Sequence, residues 1–153
     1  MNLGRLAALV DDGPAMLGAV AGASLLPVPF RLWGASVDED NELLLGIATL
    51  DGQDLPLAPG RRVCVTVTDL RTFESIQVKG AALGAVRPMA PVDLGLFRRY
   101  GTAFNTRLAE IGHAPALGQA LHPKDVGVFE IAIETQFDQT PGPGAGARLG
   151  TAP

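Results

Sequence analysis

Hydrophobic and polar positions along the chain alternate mostly with a period of two, and in two places with the longer period of a helix. Leu3, Leu6, Ala7 and Val10 fall at helical spacing, which predicts a short helix stopping near Gly13-Pro14. Residues 15–22 and 28–37 read as two strands. The polar run Val37-Asp38-Glu39-Asp40-Asn41-Glu42 reads as a turn, and Leu43 to Ala48 as the strand returning from it. The clearest alternation follows a Gly/Pro-containing loop over residues 51–60. Val63, Val65 and Val67 face one way, and Cys64, Thr66 and Thr68 the other. It resumes with Ile76 and Val78 on one face and Ser75, Gln77 and Lys79 opposite, and Gly80 predicts a bend. Leu94, Phe97, Gly101, Phe104, Leu108 and Ile111 form a helical stripe that starts after Pro91 and ends at Gly112. A last strand is predicted over 126–137, with Phe129, Ile131 and Ile133 inward and Glu130 and Glu134 outward.

Strands in hairpins interrupted by one long helix, with no βαβ alternation, predict a mainly β domain. A small antiparallel barrel with peripheral helices, which removes exposed strand edges, is the economical arrangement. Residues 1–138 are expected to form this single domain. The Gly/Pro-rich segment 139–153 is expected to be a flexible end or an arm laid on another surface, with Gln139, Thr140 and Arg148 as candidates to cover a neighbouring subunit's cleft.

Charge narrows the function classes. A formal net charge of −4 disfavours a nucleic-acid binder, which needs a basic face to displace counterions. The single Cys64 excludes an internal disulfide and a multi-thiolate zinc site. With two histidines, His113 and His122, a histidine metal cluster is poorly supported, so no metal site is expected. The uncharged run Ala15 to Phe30 is broken by Pro27 and Pro29 and is shorter than a membrane span; it reads as buried strand, and the cytoplasm is the expected compartment. P-loop, nucleophile-elbow and zincin motifs do not occur.

One segment carries candidate chemistry. The outward positions of Ser75 to Lys79 set a hydroxyl, a carboxamide and an ammonium in a row, which fits either a solvated face or a polar ladder against a ligand. Taken with Pro29-Phe30-Arg31-Leu32-Trp33-Gly34, the acidic turn before Leu43-Leu44-Leu45, and Arg61-Arg62-Val63-Cys64-Val65-Thr66-Val67-Thr68, the segment Ser75-Ile76-Gln77-Val78-Lys79-Gly80-Ala81 resembles the pyridoxamine 5′-phosphate oxidase-like family of flavin split barrels.

That resemblance implies a split β-barrel of the FMN-binding kind. It further implies a homodimer with FMN between the subunits and two-electron transfer to an unassigned small substrate. Carried over by position, the cofactor-binding candidates are Arg31, Thr49, Ser75, Gln77 and Lys79. Arg31 would neutralise the phosphate, and Ser75, Gln77 and Lys79 would serve the ring edge. No side chain stands out as a catalytic acid or base. Two departures from the family pattern keep a second reading open. Ser36 stands five residues after Arg31, where a lysine is usual, and Asp51 and Asp54 place carboxylates in the loop that commonly carries basic residues. The alternative is a cofactor-free split-barrel module for a small ligand, with haem or a deazaflavin as variants within the fold.

Overall fold

Six strands close on themselves in the computed structural model, which describes residues 1–150. In barrel order they are β1 (Ala15–Ala21), β2 (Pro27–Asp38), β3 (Leu43–Thr49), β6 (Val126–Asp138), β5 (Ser75–Ala82) and β4 (Arg62–Thr68), which pairs back onto β1. Every neighbouring pair is antiparallel. The valine alternation sets the inside: Val63, Val65 and Val67 are buried with Ile76 and Val78 of the next strand. Burying each such side chain stabilises the fold by about 1.5–3 kcal/mol before entropic costs. Phenyl rings fill the lumen. Phe30 lies over Gly18 and Phe129 over Gly46, so close that a Cβ at either glycine would fall within 2.5 Å of a ring carbon, and the two rings meet edge to face at 5.4 Å.

Helix α1 (Gly4–Asp11) stoppers one end of the barrel with Leu6, Leu9 and Val10, assisted by Leu3 just before it. Helix α2 (Leu94–Glu110), entered through a 3-10 turn at Pro91–Asp93, lies on the outside against β2. Its anchor is Trp33, 1% exposed, which meets Tyr100 and Phe104 edge-on at 5.4 and 5.5 Å. The Tyr100 hydroxyl donates to the Pro14 carbonyl at 2.7 Å, tying α2 to the start of β1. Asp12 completes the brace by pairing with both Arg71 and Arg107.

The expected barrel with peripheral helices is present, and the run from Ala15 to Phe30 is β1, its hairpin turn and the start of β2. Among the described residues no helix is long and apolar enough to cross a membrane. Several local expectations are corrected. The inner face of α2 is Tyr100, Phe104 and Leu108, whereas Ile111 is 40% exposed because the helix ends at Glu110 and Ile111 is its cap. A third helix, α3 (Pro115–Leu121), packs on α2. The Gly/Pro segment after Asp138 loops back on its own chain and ends in a short strand, β7 (Arg148–Leu149), on the end of β6. Residues 151–153 of that segment lie outside the described residues.

Two bulges re-aim side chains. Between Leu32 and Ala35 the β2–β3 register slips, returning Ala35 to the inside with Leu32, while Trp33 faces outward under α2 as alternation from Arg31 requires. Between Lys79 and Gly80 the β5–β6 register slips as well, so that Gln136 points inward and Thr135 and Phe137 lie opposite Lys79 and Gln77. Gly80 is required there: a Cβ would sit 1.9 Å from the Ala132 carbonyl oxygen.

Candidate functional site

Because side chains alternate across a strand, the sequence-predicted residues all project from the outer face of the barrel. The pairing registers arrange them in rows. One row runs Arg31, Leu17, Thr66, Gln77, Phe137 across β2, β1, β4, β5 and β6; the next runs Pro29, Ala19, Cys64, Lys79, Thr135. Arg31 and Gln77 are three strand steps apart, about 14 Å at the usual inter-strand spacing. Leu17, 59% exposed, makes the ground between them apolar and open.

At one end of the row is a hollow of about 440 Å³ lined by Leu17, Pro29, Phe30, Arg31, Thr49, Leu50, Asp51 and Gln53. It brings together two predicted residues, Arg31 and Thr49. The Thr49 hydroxyl is buried without a hydrogen-bond partner. Arg31 forms no ion pair or side-chain hydrogen bond with any described residue, although its charge reaches Tyr100, whose hydroxyl pKa is pushed up by burial and only partly offset by that charge. An orphaned buried hydroxyl beside an unpaired guanidinium is the arrangement a polar ligand would complete.

The other end is differently made. Ser75 is buried, 6% exposed; its hydroxyl meets Thr68 Oγ1 at 2.9 Å and donates to the Phe73 carbonyl at 3.0 Å. Its backbone N–H donates to Thr140 Oγ1 at 3.0 Å, and its carbonyl accepts from the Gln139 N–H. The predicted cover by Gln139 and Thr140 therefore falls on their own chain, over Ser75. Gln77 is half-buried and donates from Nε2 to Thr66 Oγ1 at 3.0 Å. Lys79 is exposed, with Nζ 4.9 Å from the centre of the Phe137 ring. It lines a separate hollow of about 250 Å³ with Ala19, Ala21, Leu25, Pro27, Arg62 and Cys64. The structure thus sets the five candidates on one face but not in one pocket.

Cross-strand neighbours missed by reading single strands are Thr66, Cys64 and Phe137. Cys64 and Thr66 belong to the outward set of the valine strand, a signal already in the alternation; Phe137 is outward only because of the bulge. Larger hollows lie elsewhere; in the one beside Asp69 every lining charge but Asp11 is already paired. Asp69, beside one of them, is held down to about 2 by the Arg71 side chain and by the Thr72 and Arg71 backbone N–H groups, against the effect of burial. His122 leans on Trp33 and Phe97, and His113 lines the gap between α2 and α3. Among the described residues no cluster of His, Cys, Asp and Glu could hold a metal.

No protein-family model matches the chain, and no curated protein does. Solved structures do. HupZ of Group A Streptococcus is 15% identical over 95% of this chain and 100% of that one, with a TM-score of 0.52. A histidine-to-alanine variant of it is 16% identical over 90% and 99%, at 0.53. An F420 reductase is 18% identical over 84% and 93%, at 0.52. At such identities the likeness is one of fold, and the fold is the split β-barrel with peripheral helices.

Proposed function

We propose that this barrel is a flavin-binding oxidoreductase module that works as a homodimer, with the cofactor laid across the outer face from Arg31 to Gln77 and Lys79 and covered by the second copy. FMN is the form implied by the resemblance in sequence. The observation that carries the reading is the pair of unpartnered polar groups, Arg31 and the buried Thr49 hydroxyl, at one end of an outer face that crosses the exposed Leu17 and offers Gln77 and Lys79 at its other end. The span of about 14 Å between the ends suits a tricyclic ring with a side chain. The name of the F420 reductase, a fold relative, supports a redox-active ring as the ligand class.

The residues present fit such a group in distinct ways. Arg31 would hold an anionic or carbonyl oxygen through its fork of N–H donors, with Thr49 adding a hydroxyl contact. Gln77, whose carbonyl oxygen forms no hydrogen bond with a described residue, would orient a ring edge. Lys79 would bring positive charge to that edge, steadied over Phe137. Ser75 would act by positioning, locking the start of β5 to Thr68 and the 139–140 loop. When bound, the isoalloxazine supplies the two-electron chemistry. A second copy of the chain would exclude water from a face that one copy leaves open.

The test is a titration of the full chain with FMN, followed by visible absorption and fluorescence quenching. A one-to-one yellow complex is expected, and Arg31→Gln should weaken it by about tenfold or more, the usual cost of a lost charge-assisted hydrogen bond. Light scattering of the loaded protein should show a dimer. No uptake of flavin would instead favour the cofactor-free module, the reading that Asp51, on the rim of the same hollow, supports.

A further inference from the structure

The hollow at the Arg31 end differs from an anion cradle in its lining. Its floor is apolar (Leu17, Phe30 and Leu50), and its polar rim is Arg31, Thr49, Asp51 and Gln53. One rim residue is positive and one is negative. The Asp51 carboxylate is fixed in place: its Oδ1 accepts the backbone N–H groups of Lys124 and Asp125 at 2.8 and 2.9 Å, and the residue sits in the left-handed region at φ +45°. It forms no ion pair with Arg31, and its second oxygen has no hydrogen-bond partner among the described residues. Gln53 donates from Nε2 to the Pro29 carbonyl at 3.2 Å. The chain after Thr49 is a turn rather than a helix, so no row of free helical N–H groups points at the hollow.

A phosphate dianion here would meet one attraction and one repulsion of similar reach, while still giving up its hydration. An uncharged polyol meets a better match. Each hydroxyl both donates and accepts, so it can donate to the open Asp51 oxygen and accept from the unpaired Arg31 guanidinium on the same rim. Resting on the flavin reading above, we infer that the Arg31–Thr49–Asp51 hollow is built for the neutral hydroxylated chain of a ring ligand. The ligand class is therefore an isoalloxazine recognised by ring and polyol, to which a terminal phosphate adds little. Asp51 is the residue that sets this selectivity.

The experiment titrates the full chain with riboflavin and with FMN separately, reading flavin fluorescence. FMN is expected to bind less than about tenfold more tightly than riboflavin; a preference of about tenfold or more overturns the inference while leaving the flavin reading intact. Failure of both flavins to bind removes the inference and that reading together. Asp51→Asn keeps the Oδ1 acceptor for the two backbone N–H groups and removes the charge. It should raise the preference for FMN over riboflavin by about threefold or more at low salt, where like-charge repulsion is least screened. An unchanged ratio in a variant that melts like the parent overturns the role of Asp51. Should that variant not fold, the salt series on the parent decides: rising salt should leave unchanged or raise FMN affinity relative to riboflavin, and FMN affinity that falls steeply relative to riboflavin would show a net cationic phosphate site and overturn the inference.

Discussion

The two ends of the outer row obey the same alternation and yet present opposite chemistry. At the Arg31 end, Arg31 and the Thr49 hydroxyl stand without partners; at the Ser75 end, the polar groups are engaged with one another. The difference comes from the neighbouring strand. Ser75 and Gln77 face Thr68 and Thr66, hydroxyl-bearing residues at the matching register, and pair with them. Arg31 faces Leu17, and Thr49 faces Val126, so neither finds a polar cross-strand partner. A polar residue's availability to a ligand is therefore a property of the register, and the strand's own sequence settles only which face it is on.

Three sets of substitutions bear on this contrast. The largest effect is expected from Gly80→Ala. Its methyl would strike the Ala132 backbone and undo the bulge that gives the Ser75 end its shape, lowering stability by about 3 kcal/mol in urea unfolding. Gly52→Ala, at φ +85° in the loop of the other end with nothing within 4 Å, should cost only about 1 kcal/mol, from backbone strain alone. Equal losses would erase the distinction between a packed end and an open one. Next is the turn that launches β5. Asp69, held down to about 2 in the folded chain against 3.8 ordinarily, contributes stability that is present above the ordinary value and is lost as pH falls through about 2. Asp69→Asn should therefore lower stability by about 1–2 kcal/mol at neutral pH and flatten the acid limb of the stability profile. A limb that stays as steep would place the acid sensitivity elsewhere. The smallest effects should differ in sign. Thr49→Val removes an unpartnered buried hydroxyl and should leave the free protein unchanged or up to about 1 kcal/mol more stable. Ser75→Ala strands Thr68 and should cost about 1 kcal/mol. Thermal melts that moved both variants the same way would break the comparison.

Much of the barrel was legible because valine and isoleucine at every second position leave a strand only one face to bury. Helix α2 was legible from its stripe, although its inner edge was not. Choosing Ile111 over Tyr100 follows hydrophobicity, whereas the tyrosine is buried because its hydroxyl reaches the Pro14 carbonyl, 86 residues away. Helix α3 is seven residues of mostly small side chains with no repeating stripe. Strand β7 is two residues whose pairing is fixed by tertiary position. The outward placement of Arg31, Thr49, Gln77 and Lys79 was legible; that Arg31 and Thr49 share one hollow while Lys79 lines another was not, because it depends on which strands pair and in what register. The charge of Asp51 was visible in the loop, while its anchoring by two N–H groups more than 70 residues away could not be seen locally.

The phenyl rings seated on Gly18 and Gly46 have one more consequence. They occupy the bore of this cylinder, so it has no interior chamber to lend and every guest must be held on the wall. A guest on a wall keeps one side wet, and redox chemistry that must avoid stray oxygen or protons needs a roof. On the proposed flavin reading, shelter would be something assembled, by bringing a second copy against the first, and dilution alone should strip it away.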